Sequence, residues 1–213
     1  MKLFHTSDLH GDLYCITLIP KDADVILFTG DIFPNRSRGN VSVEVIFQEE
    51  WFKSKLSLFL RELRSRPVIT VGGNHDFVSL GGLLKKYGYS GDVHMIAPDK
   101  VIELGGYRWA GHGAIPWIEG EWNDELRTPE MLEIVNQVLD HDADMLVTHC
   151  PPAGILAGPW GCGVLANALA YRGLNKYKHH FFGHVHNYGG HSITDGSTTY
   201  WNSATTCQTI SLV

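Results

Sequence analysis

Short apolar runs closed by small or polar residues recur along the chain. Five of them, residues 2–6, 24–29, 68–71, 145–148 and 178–182, predict buried β-strands. Between the second and third runs, Phe52, Leu56, Phe59, Leu60 and Leu63 repeat at helical spacing and Pro67 follows, so a helix is expected over residues 43–64. Shorter helices are expected after Asp12 and over residues 80–87, 129–139 and 162–171. Strands that alternate with helices imply βαβ units and a largely parallel sheet. The later part is richer in strands, at residues 101–104, 107–110, 191–194, 198–201 and 209–213, with turn signals at Gly105-Gly106 and Asp195-Gly196. An α/β fold of two packed sheets flanked by helices accommodates both halves.

Each of the five buried runs stops at side chains able to hold a metal. The first ends at Ser7-Asp8-Leu9-His10, the second at Gly30-Asp31, the third at Gly73-Asn74-His75-Asp76, the fourth at His149 and the fifth at Gly183-His184-Val185-His186. In open α/β sheets ligands bind beyond the carboxyl ends of the strands, so these scattered residues are expected to converge. The Pro- and Gly-rich segments 34–40, 111–122 and 151–163 are expected to form the walls of that site.

Composition changes this picture little. At 213 residues, one domain spanning residues 1–213 is expected. A net charge of −6 argues against binding nucleic acid or an anionic membrane through bulk charge, so a phosphate-bearing substrate must be attracted locally. No apolar run reaches the roughly 20 residues of a membrane span. Met1-Lys2-Leu3-Phe4-His5 leads straight into the first motif with no apolar leader core, so a cytoplasmic location is expected. Cys15, Cys150, Cys162 and Cys207 form no Cys-x-x-Cys pair, which points to reduced thiols rather than a thiolate zinc site.

Asp8, His10, Asp31, Asn74, His149, His184 and His186 offer oxygen and imidazole donors without sulfur, a set that suits Mn, Fe, Zn, Ni or Co. Seven ligands are too many for one such ion and suit two ions sharing a carboxylate. Such a pair clamps a phosphoryl group and lowers the pKa of a bridging water so that hydroxide attacks in line with the leaving oxygen. His75 is placed to protonate that oxygen as general acid, and Asp76 to orient its imidazole. Asn74 and His112 are candidate substrate contacts. The remaining histidines (His5, His94, His141, His179, His180 and His191) are expected in the core or at the surface. Trp117, Trp122 and Trp160 lie in the wall loops, where packing is the expected use and stacking on a nucleobase the alternative.

The ordered set Asp8-x-His10, Gly30-Asp31, Gly73-Asn74-His75-Asp76, Thr148-His149 and Gly183-His184-x-His186 resembles the signature of the calcineurin-like metallophosphoesterase superfamily. Residues 148–156, Gly161-Cys162 and Trp201-Asn202-Ser203-Ala204 are further similar to its small metallophosphoesterase-domain proteins, as is the segment 111–117. The resemblance implies a four-layer α/β/β/α sandwich. It implies one metal on Asp8, His10 and His186, a second on Asn74, His149 and His184, with Asp31 bridging; of the metals that suit these donors, Mn is the one expected. It implies a phosphodiesterase acting on nucleotide-like or other small diesters. Two departures stand out: Asp76 replaces the Glu of many relatives, and Pro34-Asn35-Arg36 departs from the Asp-Arg-Gly of protein Ser/Thr phosphatases. The alternatives are a phosphomonoesterase or protein phosphatase, suggested by Asp8-Leu9-His10-Gly11-Asp12, and a non-catalytic interaction module on the same fold.

Overall fold

The computed structural model describes residues 1–173 and 176–212. Two sheets face each other. The first has five strands in the order β13-β1-β2-β3-β4, formed by β1 (Lys2–Thr6), β2 (Val25–Phe28), β3 (Val68–Thr70), β4 (Val93–Met95) and β13 (Cys207–Ser211). The second has six, ordered β11-β12-β10-β9-β6-β5, from β5 (Ile102–Leu104), β6 (Tyr107–His112), β9 (Met145–Thr148), β10 (His179–Phe182), β11 (Ser192–Asp195) and β12 (Thr198–Asn202). A small two-stranded sheet joins β7 (Ile115–Pro116) to β8 (Glu125–Leu126). Strands β1 to β4 run parallel, as do β6, β9, β10 and β12, whereas β13, β5 and β11 pair antiparallel at the edges.

Three apolar clusters define the layers, and strand alternation assigns residues to them. Leu3, Val25, Leu27 and Ile69 meet Trp109, Met145, Val147 and Phe181 between the sheets. Their neighbours Phe4, Ile26, Phe28 and Val68 face outward onto α2 (Val41–Leu63) and α3 (Leu80–Lys86) through Phe52, Phe59, Leu63 and Leu84. On the far side Ala110 and Leu146 pack beneath α4 (Thr128–Asp140) and α5 (Gly163–Arg172), against Val135, Val138, Leu165 and Leu169. Helix, sheet, sheet and helix form the four-layer α/β/β/α sandwich. The short α1 (Tyr14–Thr17) follows the first strand-end loop.

The long helices start where capping chemistry permits. The Asn40 side chain accepts from the Val43 amide at the start of α2, the Ser79 side chain from the Gly82 amide at α3, and Pro129 occupies the first turn of α4. Three strands have no counterpart among those expected from sequence. β4 is three residues long and carries a histidine, and β7 and β8 have two residues each, too short for any periodicity to register. The expected strand at 209–213 begins two residues earlier, at Cys207, and its last position, Val213, lies outside the described residues. No helix among the described residues is long and apolar enough to cross a membrane.

Candidate metal centre

The carboxyl ends of β1, β2, β3, β9 and β10 open on one place, and the chain strains to aim its side chains there. Asp8, His10, Asp31 and His184 all have positive φ, at 54°, 44°, 56° and 65°. Non-glycine residues adopt that region at a cost of about 1–3 kcal/mol each, and such residues cluster at functional sites. Glycines make room beside them. A Cβ on Gly73 would lie 2.2 Å from Asp31 Oδ1, and one on Gly183 2.1 Å from Asp8 Oδ2, so neither position admits a side chain.

Each buried carboxylate divides its oxygens between structure and site. Asp8 Oδ2 accepts from the His184 amide at 2.8 Å, leaving Oδ1 facing His186 Nε2 at 3.2 Å and His10 Nε2 at 4.0 Å. Asp31 Oδ1 accepts from the His75 amide at 2.7 Å, leaving Oδ2 facing His149 Nε2 at 3.3 Å and His10 Nε2 at 4.0 Å. The Nδ1–H of His149 donates to the Thr29 carbonyl at 2.7 Å, so in the neutral ring the Nε2 lone pair points at Asp31 Oδ2 and at Asn74 Oδ1, 3.1 Å away. His10 Nε2 and His186 Nε2 stand 3.3 Å apart.

Acceptors that converge in this way repel one another unless a positive charge sits among them. The chain supplies a proton in that role: burial alone would depress the His149 imidazole, but the Asp31 charge and hydrogen bond push it up to about 10. Burial likewise works to raise Asp31, yet His149 holds it well below the carboxylate range. His184, buried and beside His149, is lowered to about 4 and stays neutral. Two of the groupings able to hold a cation are Asp8, His10 and His186, and Asp31, His149 and His184, the ligand atoms within each lying within 4.8 Å of one another. Asn74 adjoins the second. Two carboxylates, one amide oxygen and four imidazoles without a thiolate fit a pair of divalent cations such as Mn, Fe, Zn, Ni or Co.

His75 lies beside the grouping. A ring nitrogen of it is within 4.8 Å of ligand atoms of His10 and Asp31, and its ring meets His10 edge to face at 4.6 Å. Asp76 does not orient it. The Asp76 carboxylate instead accepts from the amides of Asp31 at 2.7 Å, Ile32 at 2.8 Å, Phe33 at 3.1 Å and Gly73 at 3.1 Å, binding the exit of β2 to the exit of β3. Burial and the Asp31 charge push it up to about 7 despite those donors. The partner of His75 Nδ1 is Asn35 Oδ1, at 2.5 Å. Helix α2 backs this contact: Glu44 accepts from the Arg36 amide at 2.7 Å, and Gln48 Nε2 donates to the His75 carbonyl at 2.7 Å. Asn35 sits in a loop with no pattern of its own. Glu44 and Gln48 did leave a signal, because they continue the core-facing stripe of Phe52, Phe59 and Leu63 two turns toward the N-terminus.

His112 is not at the site's surface. It is the last residue of β6 and is 1% exposed, which bars contact with a substrate. The sequence pattern ends the strand at residue 110 and gives Gly111 and Gly113 to a wall segment. Both glycines answer close backbone approaches instead, Gly111 against the Val147 carbonyl and Gly113 against that of Gly72. Of the wall tryptophans, Trp122 reaches the centre, its ring 4.1 Å from that of His75 with Arg38 above it at 4.9 Å. Trp117 lies under Arg127, and Trp160 is exposed.

Comparison with known proteins agrees with this geometry. The family model described as calcineurin-like phosphoesterase matches residues 1–188. The chain is 27% identical over 224 aligned residues to the UPF0046 protein K07C11.7 of Caenorhabditis elegans, covering 96% of this chain and 69% of that one. It is 29% identical to the Homo sapiens metallophosphoesterase domain-containing protein 1 over 74% of this chain, and the match spans 57% of that relative's length. The solved structure of TT1561 from Thermus thermophilus shares the fold, with a TM-score of 0.59 at 14% identity, covering 93% of this chain and 87% of that one.

Proposed function

The chain belongs to the calcineurin-like phosphoesterase family, and on that premise we propose that it is a dinuclear metal-dependent phosphodiesterase acting on small, nucleotide-like diesters. The convergence of seven acceptor side chains on one strand-end cleft carries this reading. Asp8, His10 and His186 would hold one divalent cation and Asn74, His149 and His184 a second, with Asp31 shared between them. When bound, the ions supply charge neutralisation for the phosphoryl oxygens and an activated water.

The chain's own residues do the remainder. With Nδ1–H held by Asn35, His75 presents Nε2 as the atom that delivers a proton to the leaving oxygen. Burial lowers the His75 pKa, which makes its protonated form a stronger acid toward an alkoxide. Trp122 packs on the His75 ring and walls that side of the cleft.

The preference for a diester over a monoester rests on the resemblance of residues 148–156, Gly161-Cys162 and Trp201-Asn202-Ser203-Ala204 to the small metallophosphoesterase-domain proteins. The four free cysteines support a reducing, cytoplasmic setting.

The test is turnover of bis-p-nitrophenyl phosphate against p-nitrophenyl phosphate by Mn-loaded protein. Faster cleavage of the diester is expected. Preference for the monoester would make the chain a phosphomonoesterase, and failure on both would leave a non-catalytic module on this fold.

A further inference from the structure

Beside the Asp8 and His10 end of the cleft, two thiols far apart in sequence, with no Cys-x-x-Cys motif to announce them, meet in space. Register and alternation place them together. Cys207 opens β13 directly opposite Thr6 of β1. Ile210 of the same strand faces the space between the sheets, so Cys207 faces the other way, outward with Phe4 and Thr6. Cys15 in α1 is buried in that same outer cluster and touches both the Thr6 hydroxyl and the Cys207 thiol. It is also reachable, since it lines an open cavity of about 350 Å³ together with Asp8, His10, Asp12, Tyr14 and Thr205. Cys150 and Cys162, by contrast, are fully buried under α5.

We propose that Cys15 and Cys207 are an oxidation site, forming a reversible intramolecular disulfide when the chain meets hydrogen peroxide. Of the two, Cys15 is the attacking sulfur. The cavity brings peroxide to its sulfur, and the Cys207 contact works against burial in favour of the Cys15 thiolate. The Cys15 thiolate attacks one peroxide oxygen, breaks the O–O bond and becomes a sulfenic acid. The Cys207 sulfur then displaces that oxygen. The S–S bond forms, the two thiol hydrogens leave in two molecules of water, and peroxide has taken the two electrons. The backbone can follow: α1 is a four-residue helix without a side-chain cap, and Cys207 is the first residue of its strand.

The experiment treats the full chain with dilute peroxide, alkylates it unfolded and unreduced, and maps the digest by mass spectrometry. The expected result is a Cys15–Cys207 linked peptide pair that dithiothreitol dissolves, with Cys150 and Cys162 alkylated. In Cys207→Ser, Cys15 should instead advance to the sulfinic acid, having lost its resolving partner. Free Cys15 and Cys207 after treatment, a sulfinic Cys15 in the unaltered chain, or a bridge to either of the other cysteines would each overturn the assignment. The readout does not depend on phosphoesterase activity.

Discussion

Within the strands, His5 and His180 sit fully buried, each held by at least one hydroxyl; one to four residues past the strand ends, His10, His149, His184 and His186 crowd together with their acceptors aimed at each other. His5 shows how an interior histidine is settled. Ser203 Oγ donates to Gln208, so it must accept from His5 Nδ1–H, and Thr29 Oγ1 then donates to His5 Nε2. His180 is held at one nitrogen only: Thr148 Oγ1 gives its proton to the Cys150 carbonyl and accepts from His180 Nε2–H, while His180 Nδ1 is buried without a partner among the described residues. At the strand ends carboxylates and imidazoles face each other instead. The interior histidines are held by neutral hydroxyls, and those of the cleft face charge.

The sharpest way to break this contrast is at Asp31. Asp31→Asn keeps the acceptor for the His75 amide but removes the shared charge. It should cut diester turnover by about 1000-fold, equivalent to about 4 kcal/mol, and lower the bound metal found by elemental analysis. Chelation should abolish turnover equally, with the far-UV circular dichroism unchanged, because the three apolar clusters do not depend on the ions. Retained activity in either experiment would dissolve the distinction.

Asp76 lies in the cleft by sequence but serves structure. Asp76→Ala leaves four buried amides without an acceptor and should cost about 3 kcal/mol in urea unfolding. A change in turnover without a change in stability would return Asp76 to the chemistry. For Asn35 the expectation is reversed. Asn35→Leu should lower kcat by about 10-fold or more with little change in KM, and Asn35→Asp, which keeps the acceptor, should retain most of it.

The smallest effect probes the interior. Burial lowers both His5 and His180 to about 3. Unfolded, each takes a proton near a pH of about 6.5, so below that pH the unfolded state binds more protons and stability falls as pH drops toward the folded value. Above it the contribution is complete. His180→Gln should remove about 1.4 kcal/mol per pH unit, at most, from that acid slope, measured by unfolding at about pH 5.5. An unaltered slope would mean that His180 is already charged in the fold.

The strand ends were legible because the parallel strands are short, apolar and closed by the very residues that matter. The roles of Asn35 and Asp76 were not, for a common reason. Their partners are backbone groups or a ring brought close only by the loops after β2 and β3, a proximity with no period in sequence. His112 misled because the glycines beside it placed it in a wall segment when they mark close backbone approach. Cys15 and Cys207 carry no joint signal because their meeting depends on the pairing of β1 with β13.

That pairing bears on how the protein is made. A ribosome releases Asp8, His10, Asp31 and Asn74 well before His149, His184 and His186, and the strand that completes the first sheet comes later still. A nascent chain therefore carries both carboxylates of the cleft before any imidazole from the second sheet. A chain cut short before the second sheet would present both carboxylates without His149, His184 and His186 beside them.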